Sequence, residues 1–213
     1  MTNNAQISKT LLQVSGLCLA YPQRELFKDL SIDIPPGVSL IRGEGGCGKT
    51  SLLRLFAGEL AADSGQLQLN QISAGQQPQA YRRQVFWIDP RTDAFDQISP
   101  LAYFDTVRQA SPDFDDALLA QMVLGLALTA HLDKALYMLS TGSKRKVWLA
   151  AAFASGATLT LLDEPFAALD QASVRFVMQL LAQAAGQGKR AWVVSHYDSL
   201  DQIALAALID LPL

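Results

Sequence analysis

Gly43-Glu44-Gly45-Gly46-Cys47-Gly48-Lys49-Thr50 follows the pattern G-x-x-x-x-G-K-[ST], in which a glycine-rich turn holds a phosphate. Its flanks suit that role. Val38-Ser39-Leu40-Ile41 reads as a short buried strand, and Ser51-Leu52-Leu53-Arg54-Leu55-Phe56-Ala57 reads as the first turns of a helix. Glycine reaches the φ values that let successive backbone N–H groups converge on one anion. The helix N-terminus adds partial positive charge. On this reading Gly43, Glu44, Gly45, Gly46, Cys47, Gly48, Lys49, Thr50 and Ser51 form a nucleotide-binding segment. Lys49 reaches the β- and γ-phosphates, and Thr50 offers its hydroxyl to Mg²⁺. Chance produces the bare pattern in roughly 1% of chains of this size, so its place between strand and helix argues for nucleotide binding.

The 213 residues suffice for one large domain or two small ones. Half are hydrophobic and 17% charged, which fits either a broad apolar interface or a tightly filled α/β core. A net charge of −3 argues against a nucleic-acid partner. Cys18 and Cys47 have no metal-ligand spacing and the chain opens without a signal peptide, so a reduced, cytosolic setting is expected. Cys47 reads as a small filler in the loop rather than a redox switch. The longest apolar stretch, Val147 to Leu162, is broken by Ser155-Gly156 and is too short to span a bilayer. No direct membrane insertion is expected.

Leu11–Val14, Leu17–Tyr21 and Leu26–Ile34 read as early strands, the last alternating from Leu30. Pro35-Pro36-Gly37 and Ala62-Asp63-Ser64-Gly65 are turns, Gln66–Asn70 is a further strand, and Gly75–Pro78 a loop. Gln84–Ile88 is a short strand ending at Asp89-Pro90. From Leu101 to about Leu139 the period becomes helical, with stops near Ser111-Pro112 and Gly125. A helix over Lys144–Ala154, a buried strand over Ala157–Leu162, a helix over Gln171–Ala185 and a strand over Ala191–Val194 follow. The simplest architecture is α/β: a parallel sheet with crossover helices, interrupted by a helical insertion.

The strand Thr158-Leu159-Thr160-Leu161-Leu162 ends in Asp163-Glu164. Beside a phosphate loop, Asp163 is suited to hold Mg²⁺ through water and Glu164 to polarise the water that attacks the γ-phosphate.

With this pair the chain resembles the ABC ATPases. Leu139-Ser140-Thr141-Gly142-Ser143 resembles that family's signature L-S-G-G-Q, with Thr141 and Ser143 as departures. Pro165 and Ala168-Leu169-Asp170 match its D-loop, and Val194-Ser195-His196 matches its switch histidine. Tyr21 sits where the family stacks an aromatic ring on adenine. The resemblance runs from about Leu11 to Ala207. It implies a P-loop NTPase core of ABC type with an N-terminal antiparallel β subdomain and an inserted helical subdomain. One nucleotide-binding domain would fill 1–213, with its core at about 1–88 and 150–213 and the insertion at about 90–149.

The resemblance also implies a composite site. Ser140, Thr141, Gly142 and Ser143 would act on ATP held by a second copy of the chain. Glu164, His196 and Lys49 would be catalytic, and His196 would contact the γ-phosphate. Thr50, Asp163 and Asp89 would serve Mg²⁺, Asp89 standing where the family usually has glutamine. The altered signature and Asp89 imply hydrolysis that is slow or strongly dependent on a partner. That partner is an integral membrane permease, which would hold the protein on the inner face of the cell membrane. The lean chain, with no regulatory domain after Leu213, resembles bacterial exporter subunits, including the ATP-binding subunits of haem exporters in cytochrome c maturation. A soluble ABC ATPase of the iron–sulfur assembly kind and a weakly hydrolysing regulatory ATP binder are the alternatives.

Overall fold

Alternating apolar residues near the N-terminus build an antiparallel hairpin. In the computed structural model, which describes residues 10–212, β1 (Leu12–Tyr21) buries Leu12, Val14, Leu17 and Leu19. The first nine residues and Leu213 of the expected domain lie outside the described residues. The two early strands read from the sequence are one strand, whose register shifts between Val14 and Leu17 absorb Ser15-Gly16 as an irregularity. β2 (Arg24–Ile34) returns alongside it after Pro22-Gln23, pairing Tyr21 with Arg24 and Leu12 with Ile34.

After the Pro35-Pro36 turn, β3 (Gly37–Arg42) is apolar and buried on both faces, as a central parallel strand must be. The phosphate loop leads into α1 (Lys49–Phe56), which buries Leu52, Leu53, Leu55 and Phe56. β4 (Ser64–Leu69) pairs with β1 and with β5 (Ile72–Ser73). A short helix, α2 (Pro78–Arg82), starts on the proline that the sequence suggests closes a loop; proline is well placed there because it lacks the N–H that the first helical position leaves unpaired. β6 (Val85–Phe86) is shorter than the strand expected over Gln84–Ile88.

Helical periodicity is realised in α3 (Pro100–Ala110) and α4 (Asp116–Gly125), capped by Ser99 and Asp115. Two 3₁₀ turns, Thr129–His131 and Leu136–Met138, lead to α5 (Thr141–Ala154). β7 (Leu159–Asp163), α6 (Gln171–Ala185) and β8 (Ala191–His196) follow close to their sequence-predicted positions. β9 (Leu205–Asp210) has no counterpart in the sequence reading: its inward residues are only half-buried and it lies at a sheet edge.

The strands form a four-stranded antiparallel sheet, β2-β1-β4-β5, and a five-stranded parallel sheet, β6-β7-β8-β3-β9. The parallel sheet separates two cores. Val38, Leu40, Leu162 and Val194 face the helices α3 to α6, whereas Ile41, Leu161 and Val193 face α1 and the antiparallel sheet. Trp148 of α5 meets Tyr103 of α3 edge-on, with ring centroids 4.7 Å apart, and Phe95 completes the cluster. Among the described residues no helix is long and apolar enough to cross a membrane.

Helix α5 ends on Ser155, followed by Gly156 in the left-handed region at φ 68°. A Cβ there would lie 2.1 Å from the Asp113 carbonyl oxygen, so this glycine lets the α3–α4 connection press onto the core. The amide of Asp115 donates to the Ala154 carbonyl at 2.8 Å in the same contact. Gly156→Ala is expected to destabilise the protein by about 2–4 kcal/mol, through backbone strain and steric conflict together. A urea-unfolding midpoint equal to that of the wild type would contradict this packing account.

Candidate functional site

In-register pairing of β3, β8 and β7 sets Arg42 beside His196 and Asp163 beside Ser195, so the C-terminal ends of three strands open on one crevice. The phosphate loop leaves β3 at that edge, with Gly46 at φ 83° and Gly48 at φ 105° before α1 begins. Loop, acid pair and histidine therefore meet although more than a hundred residues separate the first from the others.

The Lys49 ammonium is buried and has three acceptors for its three donors. It donates to the Gly43 carbonyl at 2.6 Å and the Glu44 carbonyl at 3.1 Å, and pairs with Glu164 Oε1 at 3.4 Å. Glu164 Oε2 in turn lies 2.9 Å from His196 Nδ1. Asp163 accepts twice, from Thr50 Oγ1 at 2.7 Å and from Ser195 Oγ at 2.5 Å. Ser195 Oγ also accepts from the Glu164 amide at 3.2 Å. Glu164 adopts φ 44°, a conformation that costs a non-glycine residue about 1–3 kcal/mol unless its surroundings impose it. Here they do: the Ser195 hydroxyl holds the Glu164 amide, and Arg145 Nη1 donates to the carbonyls of Asp163 and Glu164. Burial of Arg145 pulls its pKa below the usual guanidinium value.

Lys49, Thr50, Arg145, Asp163 and Glu164 border a cavity of about 610 Å³, also lined by Tyr21, Arg24, Glu44 and Arg91; Ser195 and His196 stand behind the acids. The Tyr21 hydroxyl lies 3.5 Å from Ser51 Oγ, and Arg24 Nη1 donates to the Gly46 carbonyl at 3.0 Å. Cys47 is buried in the core beneath the loop. Asp89 does not join Thr50 and Asp163. Burial alone would raise the Asp89 carboxyl, but hydrogen bonds from Arg91 outweigh it and lower its pKa. Asp89 lines a separate, wider cleft of about 1020 Å³, together with Trp87, Phe95 and Tyr103.

Ser140, Thr141, Gly142 and Ser143 stand apart from this cavity, at the N-terminus of α5. Ser140 Oγ caps the helix by accepting from the Ser143 amide at 3.1 Å. Gly142 sits so close to the Ala168 carbonyl that a Cβ would lie 2.3 Å from it, which seats this segment on the loop after the acid pair. Lys144 pairs with Asp96 at 2.5 Å and Lys146 with Asp170 at 2.6 Å. Sequence reasoning assigned no role to Ser195, Arg145, Arg24 or Arg91. Each lay within a few residues of a motif, but spacing does not reveal which side chain turns inward.

Residues 27–167 match the protein family described as ABC transporter. The chain is an ABC transporter ATPase. It is 34% identical to the cytochrome c biogenesis ATP-binding export protein CcmA of Tatumella citrea, over 90% of this chain and 91% of that protein. It is 32% identical to the zinc transport system ATP-binding protein TroB of Treponema pallidum, over 90% and 75% of the two. A solved ABC transporter ATP-binding protein from Pyrococcus furiosus superposes with a TM-score of 0.77 at 21% identity, covering 94% of this chain and 96% of its own. The α/β fold expected from the motifs, with parallel core and antiparallel N-terminal sheet, is thus the fold of this ABC ATPase. The family match spans the phosphate loop and the acid pair that border the cavity.

Ser195 reaches both acids, so its loss should disturb chemistry more than binding. Ser195→Ala is expected to lower kcat about tenfold, as when a hydrogen bond to a charged group is lost, while the nucleotide Kd changes less than about threefold. Steady-state hydrolysis and nucleotide titration together decide it; parallel losses in both would refute the positioning role.

Proposed function

We propose that the protein drives a separate integral membrane permease, and that two copies do so by closing on two ATP molecules. The observation that carries this reading is the exposed N-terminus of α5. Ser140 is solvent-exposed and, with its neighbours, outside the cavity of its own chain, while the amides of Thr141 and Gly142, at the first helical positions of α5, have no acceptor within the helix. Such a terminus suits the γ-phosphate of ATP bound to a second copy, with Ser140 and Gly142 as donors and Thr141 and Ser143 beside them.

Within one copy, Tyr21 offers a ring to adenine and the amides of Gly43 to Ser51 wrap the phosphates. Lys49 exchanges its loop carbonyls for the β- and γ-phosphates. Glu164 polarises the attacking water, and His196, paired with Glu164 Oε2, fixes the orientation of that carboxylate. Thr50 and Asp163 present a hydroxyl and a carboxylate in mutual contact, a set of hard oxygen donors that fits Mg²⁺. Bound there, the ion would neutralise charge on the β- and γ-phosphates. Because Arg91 engages Asp89, the metal reading rests on Thr50 and Asp163.

The relatives named for cytochrome c biogenesis export and for zinc transport match this chain almost equally over nine tenths of its length. Proteins with such different loads share the motor, so the load is selected by the permease. The wider cleft beside Asp89 combines apolar residues, Trp87, Phe95, Tyr103 and Val107, with a polar and charged rim that includes Arg83 and Thr106, a groove suited to an amphipathic permease helix. The protein accordingly sits in the cytoplasm against the inner face of the membrane, held by that partner and by no nucleic acid.

Glu164→Gln is expected to abolish turnover and to shift the ATP-loaded protein to a dimer on gel filtration; a persistent monomer would sink the sandwich mechanism. Purification from detergent-solubilised membranes is expected to recover a multi-span protein whose presence accelerates hydrolysis. Equal turnover with and without that partner would count against the coupling.

A further inference from the structure

Arg91 stands on the connection between β6 and α3, two residues beyond the acid expected to serve the metal. It lines the phosphate-loop cavity with Lys49 and Thr50, whereas Asp89 lines the wider cleft next to it. The guanidinium is held by Asp89 alone among charged side chains within ion-pair distance in the described residues, Nε reaching Oδ1 at 3.1 Å and Nη2 reaching Oδ2 at 3.3 Å. The negative charge of Asp163 acts on it from the cavity side. The Arg91 side chain is 71% exposed, and a pair of this kind is weak and readily exchanged. Guanidinium has five donors in a planar fork, matched to phosphate as well as to carboxylate. A terminal phosphate in the cavity would carry more charge than the carboxylate that now holds the fork.

We propose that Arg91 is a terminal-phosphate ligand, held in reserve by Asp89: ATP draws the guanidinium into the cavity, and Asp89 is released into the neighbouring cleft. This rests on the cavity being the ATP site. ADP lacks the terminal phosphate and leaves the Arg91–Asp89 pair closed. The exchange relieves Asp89 of the guanidinium only when ATP is bound, leaving its Oδ1 to accept from the Arg91 amide at 2.9 Å and its negative charge uncompensated in the cleft, so a cationic group on a docking helix distinguishes the two nucleotide states by charge.

The test measures the affinity of the full chain for ADP and for a non-hydrolysable β,γ-imido analogue of ATP. Arg91→Gln is expected to weaken the analogue about tenfold, the usual loss for one charge-assisted contact, and to leave ADP within about twofold. Arg91→Lys should recover part of the loss, keeping the charge without the fork. Asp89→Asn should tighten the analogue about threefold, the worth of an exposed ion pair, with ADP unchanged. Unchanged ADP binding also reports that each variant is folded. An Arg91→Gln loss shared equally by both nucleotides, or no loss at all, overturns the proposal. An Asp89→Asn protein with wild-type preference overturns the exchange. A wild-type chain that binds neither nucleotide removes the ATP reading itself, a different failure.

Discussion

A buried ammonium needs an acceptor for every proton, and Lys49 imposes that demand on everything around it. Two acceptors are carbonyls of its own loop, which must curl back on the side chain to meet it. The third is Glu164, delivered from a strand more than a hundred residues later. The Lys49 charge is thus shared between its own loop and one acid of the pair. The loop is therefore shaped around a cation, and the third acceptor is delivered from a strained turn at Glu164.

That turn depends on parallel pairing. β7 and β8 in register put Ser195 against Asp163, and one hydroxyl then serves both acids of the pair. Helix α5 supplies the other restraint. Three consecutive cations at the start of α5 reach three different elements: Lys144 the connection before α3, Arg145 the carbonyls of the acid pair, and Lys146 the cap of α6. Movement of the α5 N-terminus is thereby tied to the acids, to the next helix and to the segment that carries Arg91. The link is contiguous and physical, running through charged contacts from three successive residues.

Most of the fold was legible because hydrophobic period and punctuation agreed. Pro35-Pro36, Ser111-Pro112 and Gly125 end elements where their chemistry predicts, and α6 follows its sequence-predicted span. Misreadings fell where local signals are weak. β1 was divided because Ser15-Gly16 looks like a turn, yet pairing on both sides carries the strand through. β9 escaped because an edge strand of alanine and leucine has no strong period, and only pairing with β3 makes it a strand.

The sequence by itself determined which chemistry is present. Loop, acid pair, signature and histidine are defined by residue type and short spacing, and those are local properties of the chain. Tertiary structure decided which groups meet and which way they turn. Ser195 works on two acids because β7 and β8 are in register, and Gly142 is required because the Ala168 carbonyl crosses its Cα. At the β6–α3 connection the difference is plainest. Asp89 and Arg91 are both charged and two residues apart, so no pattern ranks them; the path of the chain after β6 gives Arg91 to the phosphate-loop cavity and Asp89 to the wider cleft.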